Sequence, residues 1–267
     1  MMEILQLPFM QRALVAGVLA GFLLPLVGNY IVPKKLSNLG DASSHVAFAT
    51  IGLTALFGFV TDLVVYAVPA VAIYAVLVLI NRLKIPGDQA LAILLAVGAS
   101  IASLSLSLGA RVNLTAVLFG SVLFVTNEDI IAAAAVAAVT GVFVFVNFGK
   151  TILYTVNEEL ARVKGVKIGY YQFFFAIVAG LSIVSGIKVA GVLLVTALVA
   201  IPTAASSLIS NSFKKAVIAS IIFGISSTTL GIITSYYLGI TPGAASVIFL
   251  IIILVVSALL WKLKVRI

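Results

Sequence analysis

The 267-residue chain is 63% apolar and 9% charged, with a mean hydropathy of +1.30 and a formal net charge of +8. These values exclude a soluble globular protein, because apolar runs of about 20 residues recur from end to end, each long enough to cross a hydrocarbon core about 30 Å thick as helix. The absence of cysteine excludes disulfide frameworks and thiolate metal sites together.

The fold class expected is all-α: a polytopic helical membrane protein with eight or nine transmembrane helices in a single domain over residues 1–267, since no stretch is polar enough to form a soluble domain. Spans are predicted near 9–32, 41–60, 63–80, 88–109, 128–149, 170–187, 189–208, 214–237 and 242–261. The first run is too long and continuous for a cleaved signal peptide and is read as a retained span. Its Gly17 and Gly21 form a GxxxG that suits close helix packing rather than a dimer seam.

The second span opens on "GDASSHVAFATIGL", where Asp41 and the only histidine, His45, stand four residues apart. On a helix they share a face, so a carboxylate oxygen and an imidazole nitrogen can converge on one point. That is half a metal site, and with no second histidine and no cysteine one chain cannot complete it from those residue types. Two-fold pairing of identical chains would bring two Asp and two His together, an oxygen and nitrogen set suited to divalent zinc, manganese or iron. The alternative is that Asp41 caps the helix and His45 is a hydrogen-bonding residue, both near the membrane boundary where polar groups cost less.

"TAVLFGSVLFVT", residues 115–126, is too short to cross and is expected to be a re-entrant half-helix, broken near Gly120 and Ser121. "NLT" at Asn113 matches a glycosylation tripeptide and carries little weight. "GKT" at 149–151 ends a P-loop pattern whose first glycine is replaced by Val144, with no strand before it, so no ATPase is encoded. The only sizeable polar loop, 150–170, reads as a short amphipathic helix. Thr155 and Glu158 are its expected capping box, and Gly165 supplies a left-handed stop. Bounded so closely, it reads as a docking element; the alternative is a solvated loop helix. In "VAGVLLVTALVAIPTAASSL", residues 189–208, Pro202 predicts a broken or kinked end.

Nine crossings place the termini on opposite sides. With the N-terminus outside, 13 basic residues fall in the cytoplasm (Lys34, Lys35, Arg82, Lys84, Lys150, Arg162, Lys164, Lys167, Lys214, Lys215, Lys262, Lys264 and Arg266) and only Arg12, Arg111 and Lys188 fall outside. Glu3, Asp62, Glu128 and Asp129 then lie outside. Tyr154, Tyr170, Tyr171 and Trp261 are read as aromatic anchors at the cytoplasmic interface.

Several segments in this order resemble the membrane permease subunits of ABC transporters that import manganese, zinc, iron or related divalent metals. They are "MQRALVAGVLAGFLLPLVGNYIV" with "LGDASSH", "LFGSVLFVTNEDI", "NEELARVKGV", "VAGVLLVTALVAIPTAAS" and "TPGAASV". The resemblance spans nearly the whole chain. It implies a permease of the vitamin-B12-importer type, forming a homodimer or pseudo-dimer. An extracellular metal-binding protein would feed it and two separate ATPase subunits would drive it. No cofactor is held permanently, and the divalent metal is cargo. The family's metal residues fall on Asp41 and His45. Its ATPase-coupling helix falls on Asn157, Glu158, Glu159, Leu160, Ala161, Arg162 and on to Gly165. Ser43 stands where the family commonly has leucine, and Asn157 where aspartate is usual.

Other classes fit less well. A proton-coupled secondary metal transporter could use Asp41 and His45 as a relay, but it needs no docking helix and would favour an inverted repeat, which is not evident. An intramembrane metalloprotease needs two histidines in HExxH. A membrane scaffold gives the pair no role.

Overall fold

The computed structural model describes residues 7–58, 62–112 and 125–265, and all regular structure there is helical. The expected half-helix falls almost wholly on residues 113–124, as does Asn113, outside the described residues.

Among the described residues nine long helices form the body: α1 (Pro8–Ile31), α2 (Leu39–Phe57), α3 (Asp62–Leu83), α4 (Gly87–Ser107), α5 (Asn127–Val146), α8 (Ile168–Ala190), α9 (Val192–Ile209), α10 (Phe213–Leu238) and α11 (Pro242–Val265). Two short ones, α6 (Phe148–Val156) and α7 (Glu158–Val163), bridge α5 and α8. Seven are long and apolar enough to cross a membrane. The other two are α2, diluted by Asp41, His45 and two serines, and the shorter α9.

Helix α1 is the axis of the bundle, buried along most of its length and packed on α5, α8, α9 and α10. Lipid and helix interiors are equally apolar, so association in a bilayer relies on close backbone approach. At Gly21 a Cβ would stand 2.7 Å from the Gly224 carbonyl carbon, so α1 and α10 cross with backbone against backbone, and Gly17 faces the Ile232 side chain. The GxxxG is thus spent inside the chain, as expected.

Helix starts and stops follow local chemistry. Thr126 begins α5 with a capping box: its hydroxyl accepts from the Asp129 amide at 3.1 Å, and its own amide donates to the Asp129 carboxylate at 3.1 Å. Helix α9 continues through Pro202 to Ile209, which corrects the expected break. The missing proline N–H costs one bond of the ladder, at the Leu198 carbonyl; beside it the Thr203 hydroxyl donates to the Val199 carbonyl at 2.9 Å. Such a segment stays helical when packed; Leu198, Val199 and Ala205 are fully buried.

Candidate metal site and coupling helix

Asp41 and His45 stand on the first two turns of α2, with His45 Nε2 3.8 Å from Asp41 Oδ1. Their side chains remain 44% and 34% exposed. The helix begins at Asn38, so Asp41 is not its cap. Among the described residues no group of three or more His, Asp or Glu side chains gathers to hold an ion. Among the described residues one chain therefore presents two candidate ligands on a partly exposed face.

Relative to the neighbouring helix, the pair lies deeper than its place just after a loop suggests. A Cβ on Gly98 would lie 2.8 Å from the Val46 nitrogen and 2.9 Å from the His45 carbonyl carbon, and further along Gly52 faces Ser105. Both contacts join positions 53 apart, so α2 and α4 run parallel in a fixed register. In that register α2 begins about five residues, or about 8 Å, further into the bundle than α4. Leu36, buried in the connector, packs beside Gly87 at the start of α4, which explains the offset. His45 is level with the middle of α4. Half-exposed ionisable groups at that depth are costly against lipid and need a polar or protein neighbour.

The polar loop is built differently from its predicted form. It contains two short helices, and Thr155 lies in the first, where its hydroxyl donates to the Thr151 carbonyl at 2.8 Å. The cap of α7 is Asn157, whose Oδ1 accepts from the Leu160 amide at 2.9 Å. The stop at Gly165 is as expected: with φ +74°, its amide donates to Arg162 and the Val166 amide to Ala161, a Schellman closure. Glu158, Glu159, Leu160 and Arg162 remain at the surface or near it, while Ala161 is fully buried and seats the helix on the body.

A tether missing from the sequence reading joins this helix to the stretch leading into α2. Lys34, in the 3-10 turn Val32–Lys34, places Nζ 3.5 Å from Glu158 Oε2 and 3.4 Å from the centre of the Tyr154 ring. Glu158 Oε1 also receives Arg162 at 3.3 Å. Tyr154 is therefore core rather than an interface anchor, and Tyr171 is buried as well, whereas Tyr170 and Trp261 are exposed. Nothing in "VPKK" distinguishes Lys34 from an ordinary loop lysine, because its partners lie more than a hundred residues away.

Burial lowers the Lys34 pKa to about 8, with Glu158 opposing the shift by favouring the charged form; burial and the Glu158 charge raise that of Tyr154. Asp88 and Lys35 line the same 650 Å³ cavity. A lysine whose pKa lies lower when buried binds its proton less tightly there than when α7 opens and exposes it, so the closed state gains stability as pH rises through about 8. Amide exchange across residues 157–165 should therefore fall relative to Lys34→Arg, compared at equal pH, as pH passes from 7 to 9. An unchanged ratio between the two proteins from pH 7 to pH 9 would show that the protonation of Lys34 is not linked to the seating of α7.

Residues 6–261 match the ABC 3 transport family. The chain belongs to that family. Among relatives of this ABC 3 chain, the high-affinity zinc uptake system membrane protein ZnuB of Buchnera aphidicola is 30% identical, over 88% of this chain and 91% of its own. The manganese transport system membrane protein MntC of Listeria monocytogenes is 23% identical over 96% and 92%. The solved structure of PsaBC from Streptococcus pneumoniae in complex with Fab superposes with a TM-score of 0.84, covering 96% of this chain and 93% of that one at 22% identity, and so shares its fold.

Proposed function

We propose that this chain is the membrane-spanning subunit of an ATP-driven importer of a divalent transition metal, zinc, manganese or iron. Two copies face each other across a pathway. Asp41 and His45 of each hold the ion transiently, and α7 receives the stroke of a separate ATPase; an extracellular metal-binding protein delivers the ion. The observation that carries this reading is the Asp41–His45 pair at the middle depth of the bundle, open on one face and incomplete within one chain. Two carboxylates offset the charge of a divalent cation, and a site shared between moving halves can be weakened to release it. The relatives' names point to metal uptake and differ on the metal.

The test is metal binding by the purified chain in lipid nanodiscs. One zinc or manganese ion per pair of chains is expected, lost in both Asp41→Asn and His45→Ala. Unchanged binding in both variants would remove the pair from the pathway.

The proposed orientation has its own check. Lys34, Asn81, Asp88 and Glu158, from three loops placed on the cytoplasmic side by charge, line one cavity at one end of the bundle. A cysteine at Glu128 should react with an impermeant thiol reagent added outside, and one at Lys215 should not. The chain has no cysteine to confuse the signal. The reverse pattern would invert the topology.

A further inference from the structure

Another cavity lies where α5 ends and α8 begins. It measures about 530 Å³ and is lined by Lys150, Lys164, Lys167, Tyr170, Tyr171 and Asn147 among others, with no carboxylate. The Tyr171 hydroxyl donates to Asn147 Oδ1 at 3.2 Å, fixing the residue at which α5 gives way to α6. Asn147 also closes a groove of about 460 Å³ that follows α5 back to Ala138, a length of about 13 Å. The groove is apolar: Val139, Val142 and Val146 form one wall, and the stacked rings of Phe143 and Phe174, 3.7 Å between centroids, form its floor. Tyr170 stacks on Phe174 and so joins the two spaces.

We infer that this composite site binds an anionic phospholipid, its phosphate among Lys150, Lys164 and Lys167 and an acyl chain along the α5–α8 groove. Charge and polarity decide the class of ligand. Three lysines without a carboxylate attract an anion, and a groove continuous with them at membrane depth, flanked by exposed valines, takes an apolar tail rather than water. A free phosphate would leave the groove unfilled. An acidic segment of the ATPase would meet the lysines but could not follow α5 among its membrane-facing side chains. Because Lys164, Gly165 and Val166 at the end of α7 line the cavity, the bound headgroup also steadies the helix proposed to receive the ATPase.

The test is lipid retention, read by native mass spectrometry on the purified chain in nanodiscs of equal phosphatidylglycerol and phosphatidylcholine, without ATPase. The parent protein should retain phosphatidylglycerol. The triple variant Lys150→Gln, Lys164→Gln, Lys167→Gln should retain at least about tenfold less, with phosphatidylcholine unchanged. Val142→Trp, which fills the groove, should also lose the lipid. Lys214→Gln with Lys215→Gln removes two cytoplasm-assigned charges outside the cavity and should lose none. Equal losses in the two lysine variants would reduce the effect to general surface charge and overturn the site. Retention of phosphatidylglycerol by the triple variant would overturn the site, and weakened ATPase recovery by the same variant in a separate pull-down would then reassign the cavity to a protein contact. None of these readouts uses Asp41, His45 or transport, so failure here leaves the metal pathway standing.

Discussion

Cells expressing His45→Ala or Asp41→Asn at the parent level should take up zinc and manganese at background rates, while insertion and pairing of the chains persist. His45→Ala removes a proposed ligand outright, and Asp41→Asn replaces a charged carboxylate by a weak neutral amide oxygen. The fall should exceed the roughly 10–100-fold that loss of an outer-shell partner commonly costs a metal site. Folding should survive, because both side chains are partly exposed and their mutual contact is a loose 3.8 Å. His45→Cys separates coordination from structure. A thiolate is a softer ligand, so residual uptake should shift towards zinc over manganese if His45 touches the ion. Parent-level uptake in the alanine and asparagine variants, or a cysteine variant with an unchanged zinc-to-manganese ratio, would argue that the pair only shapes α2.

Leu160→Asp should abolish ATP-driven uptake and lower recovery of the ATPase partner at least tenfold, with metal binding at Asp41 and His45 retained. The basis is the exposed apolar side chains of α7 and its approach: Leu160 is 43% exposed, and Val156 and Val163 are 65% and 85% exposed. A carboxylate in place of Leu160 costs the isolated chain little, since the side chain already meets solvent. Buried unpaired in a protein groove it costs several kcal/mol, on the order of a hundredfold or more in affinity. Full transport and normal ATPase recovery by this variant would mean that the stroke enters elsewhere than α7.

The long helices were legible because the bilayer demands continuous apolar runs, and the observed bounds fall close to the predicted ones. What hydropathy cannot encode is relative height. Asp41 and His45 look like boundary residues because they follow a loop, yet the loop is drawn inward by Leu36 against Gly87. The cap of α7 was misassigned for a local reason. Thr155 and Asn157 both carry oxygens able to accept from a backbone amide, and the extended backbone at Asn157 decides between them. Tyr154 and Lys34 were read as surface groups because each is amphipathic, and only their long-range meeting turns both inward. The pair itself was visible through scarcity, as the only histidine of the chain.

The crossing of α1 on α10 at Gly21 and Gly224 has a mechanical consequence. Side chains that interdigitate can slide by changing rotamer, but main chain pressed on main chain leaves no soft layer to shear. The two helices must turn together as one stiff arm. Through the Val32–Lys34 turn that arm is tied to α7 at one end, so if α7 receives a stroke, a push at Glu158 would be carried along α1 instead of being absorbed near the loop. Substituting either glycine by a larger residue would turn a rigid beam into a jointed one, and force would dissipate before it reached the far side of the membrane.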